Sequence, residues 1–145
     1  MIRPLTLKDI SSAAEIEKQC FSDPWSETLL RHSFQNSWNH FWAAEDENGE
    51  VIGYAVCSFV AGEGEIQRVG VLPKARRRGA ARELMAAMEE FARAQKGDAL
   101  TLEVRAGNDA ARTLYKTCGF AEEAVRKNYY RNPAEDAVIM WKRNI

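Results

Sequence analysis

Residues 65–105 constrain the fold more than any other stretch. Glu65 to Val71 reads as a strand ended by Pro73. A basic loop follows, and Gly79 to Gln95 then sets Leu84, Met85, Met88, Phe91 and Ala92 on one stripe with a helical repeat. Lys96-Gly97 stops that helix. Leu100, Leu102 and Val104 alternate with Thr101, Glu103 and Arg105, as in a strand with one buried face. A strand–helix–strand unit of this length is the usual way to join parallel strands. The chain is therefore expected to build a sheet with a parallel pairing and a helix on its face.

The flanking segments add antiparallel elements. Residues 2–5 read as a short strand, and Thr6 with Asp9 three residues on is a variant capping box. The helix it opens carries Ile10, Ala13, Ala14, Ile16 and Glu17, and closes at Cys20 and Phe21. Asp23-Pro24-Trp25-Ser26 breaks it, and Ser26 can cap a second helix through Leu29, Leu30 and Phe34. Phe41–Glu45 and Val51–Val60 are strands joined by the Asn48-Gly49 turn. Asn108 can cap a helix to Cys118, with Ala110, Ala111, Leu114 and Cys118 as its apolar stripe and Tyr115 at the stripe's edge. Phe120–Tyr129 and Asp136–Trp141 close the chain as strands. The order β-α-α-β-β-β-α-β-α-β-β predicts an α+β fold: a mixed, predominantly antiparallel sheet flanked by helices, with residues 1–145 forming one domain.

Composition narrows the function classes. The formal net charge is −1, which argues against a dedicated nucleic-acid binder. The three cysteines, Cys20, Cys57 and Cys118, are widely spaced and offer neither a zinc-type pair nor a disulfide framework. No metal is expected. No apolar run has the length of a signal peptide or a membrane span, so a cytoplasmic protein is expected.

The loop before the long helix carries the first chemical signal. Arg76, Arg77 and Arg78 precede Gly79, Ala80, Ala81 and Arg82. A helix N-terminus leaves backbone N–H groups without partners and bears partial positive charge, and both favour a phosphate. Small residues let the backbone approach a ligand closely. Gly70, inside the preceding strand, marks either a bulge or a close backbone approach. From the loop alone, a solvated basic turn is an equal reading. Glu103 points away from Leu102 and Val104, and pattern alone makes it an exposed strand residue. Tyr115 reads as a boundary tyrosine whose hydroxyl can reach a cleft.

Longer motifs change that balance. Arg76-x-x-Gly79-x-Ala81 resembles the signature with which GNAT acetyltransferases bind the pyrophosphate of acetyl-CoA through backbone amides. The stretch Leu102-Glu103-Val104-Arg105-Ala106-x-Asn108-x-Ala110-Ala111-Arg112-x-Leu114-Tyr115-x-x-x-Gly119-Phe120 is similar to the RimI-type branch, the ribosomal-protein-alanine acetyltransferases. Phe21-x-Asp23-Pro24-Trp25-Ser26, Arg126-Lys127-Asn128-Tyr129-Tyr130 and Glu135-Asp136-Ala137 extend the likeness over nearly the whole chain. Two departures stand out: Arg68-Val69-Gly70-Val71 where family members often have Asn-Ile-Ala-Val, and Gly107 where serine is common, a change expected to be harmless.

The resemblance implies acetyl-CoA as cosubstrate. It implies that the backbone of Val69, Gly70 and Val71 holds the acetyl carbonyl and pantetheine arm, and that Arg77, Arg78, Gly79, Ala80, Ala81 and Arg82 hold the pyrophosphate. Asn108 would contact the cosubstrate, Glu103 would be the general base and Tyr115 the general acid. The implied acceptor is the N-terminal alanine of a small-subunit ribosomal protein, with Asp23, Glu63 and Glu65 as acidic residues that could attract a basic peptide. Other readings stay open: a lysine or small-molecule amine as acceptor, a covalent route through Cys118, or a phosphate-binding module without transfer.

Overall fold

The structure is a computed structural model and describes residues 1–145. Its strands are β1 (Ile2–Pro4), β2 (Asn39–Glu45), β3 (Val51–Val60), β4 (Glu63–Val71), β5 (Ala99–Arg105), β6 (Ala121–Tyr130) and β7 (Glu135–Arg143). They form one seven-stranded sheet in the order β1-β2-β3-β4-β5-β7-β6. Its helices are α1 (Ile10–Cys20), α2 (Glu27–Gln35), α3 (Ala80–Ala94) and α4 (Asp109–Thr117). Every neighbouring strand pair is antiparallel except β4–β5, the pair that α3 connects. Element order and fold class match the expectation. No helix is long and apolar enough to cross a membrane.

Each face of the sheet has its own core. On one face, Ile10, Ala13 and Ile16 of α1 and Leu30 of α2 bury themselves against Phe41, Tyr54 and Val56. On the other, Leu84, Met85, Met88 and Ala92 of α3 pack on Leu100, Leu102 and Met140. Burying each large side chain is worth roughly 1.5–3 kcal/mol, so the α3 stripe alone explains why that helix clamps the parallel pair. Phe91, expected on the same stripe, is only half-buried, with its ring 5.5 Å from Trp42 and 6.0 Å from Phe59.

Helix α4 departs from the expected stripe. Ala110 is exposed and no residue of the helix is fully buried. Ala111, Tyr115 and Cys118, spaced by four and three residues, lean on the α3-side core instead. A nine-residue helix at the margin of a sheet touches it along one narrow line.

The feature that matters for function is a fork. Strands β4 and β5 pair only from Glu63↔Ala99 to Ile66↔Leu102. Beyond that, β4 runs on to Val71 and β5 to Arg105 without pairing to each other. A bulge in β4 accompanies the divergence: Cys57 pairs with Ile66 but Val56 with Arg68, so Gln67 is the extra residue. A bulge bends its strand and sharpens the local twist. It also explains why Ile66, Val69 and Val71 all contribute to the α3-side core despite their odd spacing. The bulge sits at Gln67 and not at Gly70. Gly70 serves the other expectation, close approach: a Cβ there would lie 3.1 Å from Ile16 Cγ2 and 3.2 Å from Phe21 Cε2.

Candidate active site

The loop from β4 to α3 ends in two left-handed residues, Arg77 at φ 66° and Gly79 at φ 84°. A Cβ added at Gly79 would meet nothing within 4 Å, so what glycine supplies there is conformation and not space. The first helical bond runs from Glu83 N–H to Gly79 O at 3.0 Å. Ahead of it, the backbone N–H groups of Arg77, Arg78, Gly79, Ala80, Ala81 and Arg82 find no backbone acceptor in the chain. Arg77 and Arg78 carry exposed guanidinium groups on the same loop. A run of free amides at a helix start is an anion cradle. Arg76 is not part of it, since its Nε is turned back to Val71 O at 3.0 Å. The Arg82 side chain leads away, into a cleft of about 570 Å³ that it lines with Met85, Cys118, Phe120 and Lys142.

The arm of β4 beyond the bulge exposes backbone to the fork. Leu72 N–H donates to Ile52 O at 2.8 Å, so its backbone faces β3. Gly70, two residues earlier, faces β3 as well and pairs with Tyr54. Val69 and Val71 must then direct their backbone groups away from β3, because alternate residues of a strand bond to opposite sides. The Val71 carbonyl accepts from Arg76 and from Cys20 Sγ at 3.3 Å. The Val69 pair and the Val71 N–H are left facing the fork.

Glu103 is the first residue of β5 past the last β4 pairing, and it pairs with Ile139 of β7 on its other side. Leu102 and Val104 are buried in the α3-side core, so Glu103 and Arg105 face α1 and α2. Glu103 Oε2 is buried and has no hydrogen-bond partner, while Oε1 lies 4.0 Å from Arg126 Nη1. Two tyrosines of β6 surround the carboxylate. The Tyr129 phenol is pushed up by its hydrogen-bonding approach to Glu103 and then by burial. Tyr130 is pushed up to about 12, first by burial and then by the Glu103 charge. Tyr115, from α4, is likewise pushed up to about 12 by burial, with Tyr130 as its nearest electrostatic neighbour. Glu103 and Tyr115 thus approach from opposite faces of the sheet, linked through Tyr130. Asn108 caps α4, its Oδ1 accepting from Ala111 N–H at 3.2 Å. Burial pushes the Cys118 thiol up, which disfavours the thiolate a covalent route would need.

Sequence reasoning did not single out Arg68, Arg105 or Glu17 as members of this region. Arg68 lies 4.1 Å from the Phe21 ring centroid and 4.6 Å from that of Trp25. Its Nη2 lies 3.1 Å from Oε1 of the fully buried Glu17. Arg105 lies 4.5 Å from the Tyr130 ring centroid. The one local signal was the adjacent polar pair Gln67-Arg68, which breaks the strand's alternation. Gly107, expected to be a neutral change, proves tight: a Cβ there would lie 2.6 Å from Glu135 Oε2, which accepts the Gly107 N–H at 2.5 Å.

Known proteins share this fold. A profile of the acetyltransferase (GNAT) family matches residues 10–120. The Mycobacterium tuberculosis protein described as N-alpha-acetyltransferase RimI is 36% identical over 145 residues, covering 96% of this chain and 89% of its own. The Escherichia coli K12 [ribosomal protein bS18]-alanine N-acetyltransferase is 32% identical over 141 residues, covering 96% and 94%. The crystal structure of the ribosomal-protein-S18-alanine N-acetyltransferase from Escherichia coli superimposes with a TM-score of 0.91 at 31% identity, covering 99% of this chain and 93% of that one. With a strand fork, a glycine-led anion cradle at α3 and a match over most of its length, this chain belongs to the acetyltransferase (GNAT) family.

Proposed function

We propose that this protein transfers an acetyl group from acetyl-CoA to the N-terminal α-amine of a protein that begins with alanine, a small-subunit ribosomal protein in the cytoplasm. The observation that carries the reading is Glu103 Oε2, a carboxylate oxygen buried at the head of the fork without a donor. Buried polar atoms are nearly always partnered, and one left open marks a site where a proton or ligand arrives. The acceptor follows from the relatives named for alanine acetylation of ribosomal protein bS18.

The residues fit the cosubstrate. The free amides of Arg77 to Arg82 suit a pyrophosphate, and the outward N–H groups of Val69 and Val71 suit a carbonyl oxygen that gains negative charge. When bound, acetyl-CoA supplies an activated thioester. An α-amine has a pKa of about 7.7–8.0, so much of it must lose a proton before it can attack. Glu103 takes that proton, directly or through one water. Tyr115 holds the proton for the departing sulfur. A phenol at about 12 is a weak donor to a thiolate whose conjugate acid sits near 8.5. Complete transfer to the sulfur would be uphill by roughly 5 kcal/mol if the phenolate were left behind. Tyr115 therefore acts by hydrogen bonding the sulfur as charge builds, and gives up its proton only as the nitrogen's second proton passes to the phenol oxygen, so that the phenol is restored.

The test is a panel of acceptors with thiol release from acetyl-CoA as readout. A peptide beginning with alanine should react much faster than the same peptide with its α-amine blocked and a lysine free. Equal rates, or faster reaction of the lysine or of a small polyamine, would overturn the acceptor. No thiol release with any amine would overturn transfer itself.

A further inference from the structure

Half of one sheet face carries no helix. Helices α1 and α2 pack chiefly on β2, β3 and β4, which leaves the same side of β5, β7 and β6 bare. Thr101 lies between Leu100 and Leu102 of the α3-side core, so it faces the bare side. Ile139 and Trp141, the strand partners of Glu103 and Thr101, face it too. Both are half-buried, and neither belongs to either core. On β4, Gly64 and Ile66 turn to the α3 side, which leaves Glu63 and Glu65 on the bare side, in register with Ala99 and Thr101. Val60, 44% exposed, pairs with Glu63. The result is an apolar ledge bordered by two carboxylates.

A sheet can leave one face to water, but such a face is then polar. An indole and an isoleucine at its centre are the composition of an interface. The charges say what kind. Glu63 and Glu65 are exposed, and the nearby arginines are committed to other carboxylates. Arg143 bonds Glu123 at 2.8 Å and stacks 4.2 Å from the Trp141 ring centroid, while Arg126 lies 4.0 Å from Glu103. The ledge is also continuous with the site, because Glu103 stands on the same side, two residues along β5 from Thr101. Beyond Glu103 that side is closed. Arg105 bridges it, donating to Ser22 Oγ at 3.3 Å and, in the β6–β7 turn, to Arg131 O at 2.8 Å and Pro133 O at 2.9 Å. A chain whose amine sits at Glu103 therefore leaves over Thr101 and Trp141.

We propose that this bare half-sheet holds the segment that follows the acceptor's first residue, and that Glu63 and Glu65 select acceptors that are basic at about the third to fifth positions. This rests on the proposed transfer to a protein N-terminus. Strand residues rise about 3.3 Å each, so the Thr101 row lies roughly 7 Å from Glu103 and the Ala99 row roughly 13 Å. An extended acceptor has the same rise, so its third residue passes Glu65 and its fifth passes Glu63. A ribosomal acceptor supplies the charge, because proteins hold RNA phosphates with Lys and Arg.

Two peptides beginning with alanine test this, one with arginine at positions 3 to 5 and one with glutamine there. Wild type should show a KM about tenfold lower for the arginine peptide, the upper range for two exposed ion pairs, with kcat changed less. Added salt should erode the difference. In Glu63→Gln with Glu65→Gln the ratio of the two KM values should fall to near one. In Glu63→Lys with Glu65→Lys, a peptide with glutamate at positions 3 to 5 should become the better acceptor. Equal KM values in wild type, or the wild-type ratio kept in the double glutamine variant, would overturn the proposal. Nuclear magnetic resonance gives a readout that needs no turnover. The arginine peptide with its α-amine blocked should shift the Trp141 indole N–H and the amides of residues 63–65, and unmoved signals would overturn the ledge. If wild type acetylates neither peptide, the acceptor reading falls and this titration decides the ledge by itself. The same shifts on concentrating the protein without peptide would give the face to a second copy of the chain, and the proposal would fall.

Discussion

Glu103 Oε2 is buried without a hydrogen-bond donor, which leaves one acceptor of the carboxylate open to a bound amine. Glu103→Gln keeps the shape and removes the basicity. General acid or base catalysis is typically worth roughly 10²–10⁴-fold, so kcat should fall by about that order while acetyl-CoA binding persists. Steady-state rates and calorimetry on the same preparation check this; a near wild-type kcat across the pH range would return Glu103 to an ordinary strand residue. Tyr115→Phe should cost a similar factor. The raised Tyr115 pKa also fixes a sign. A phenol held at about 12 keeps its proton throughout the range in which the acceptor amine loses its own. The rate should therefore climb to a plateau above pH 8 and hold beyond pH 10. A falling limb centred near pH 10 that vanishes in Tyr115→Phe would show a phenol titrating normally. Cys118→Ala should stay active, and a trapped acetyl-cysteine by mass spectrometry would contradict direct transfer. At this scale the strand alternation told which way Glu103 points. It could not reveal that Tyr130 feels the Glu103 charge and Tyr115 feels Tyr130, because the three come from different elements.

Among elements, the start of α3 depends most on one residue. Gly79 adopts φ 84°, a conformation that costs an ordinary residue roughly 1–2 kcal/mol. Gly79→Ala meets no steric obstacle, so its effect should come through this strain. We expect a destabilised first turn and acetyl-CoA affinity reduced about tenfold, since 1.4 kcal/mol is a factor of ten. Gly79→Glu adds a negative charge at the cradle and should abolish binding with the helical signal of circular dichroism intact. Unchanged affinity in Gly79→Glu would place the phosphates elsewhere. Gly107→Ser should displace the Glu135 carboxylate and, through Arg105, loosen the β6–β7 turn. The sequence set Gly79 at the start of α3 as a small residue for close ligand approach; its left-handed conformation came only with the structure. At Gly70 the sequence left two readings open, because a glycine in a strand reports either a bulge or a close neighbour. Only the packing of Ile16 and Phe21 on Gly70 distinguishes them.

Stability of the whole molecule has a pH-dependent joint where the sheet's first strand meets its first helix. Arg3 of β1 grips Asp9 with bonds of 2.7 and 2.9 Å, and Asp9 also accepts the Thr6 N–H at 2.7 Å. The capping box expected for α1 exists, but it closes a 3-10 turn, Leu7–Asp9, that leads into the helix. The Arg3 hydrogen bonds hold the Asp9 carboxyl at about 2, against about 3.9 in an unfolded chain. Because the folded value is depressed, the contribution is complete above about pH 5 and is lost as pH falls towards 2; it is on the order of 2–3 kcal/mol. Asp9→Asn should be less stable than wild type at pH 7, with the gap closing by pH 2. Urea unfolding at pH 7, 4 and 2.5 reads this directly, and a constant gap would mean Asp9 is not the titrating joint. By itself the sequence determined the order of elements, the two apolar faces of the sheet and the glycine-led turn before α3. Each of these is written in local periodicity or in the conformation one residue type allows. Tertiary structure alone decided where β4 and β5 part, which arginine meets Glu17, and that Tyr115 and Glu103 stand on opposite faces of the sheet. These depend on strand register, on the twist introduced at Gln67 and on side chains far apart in the chain, and no short-range pattern encodes such pairings.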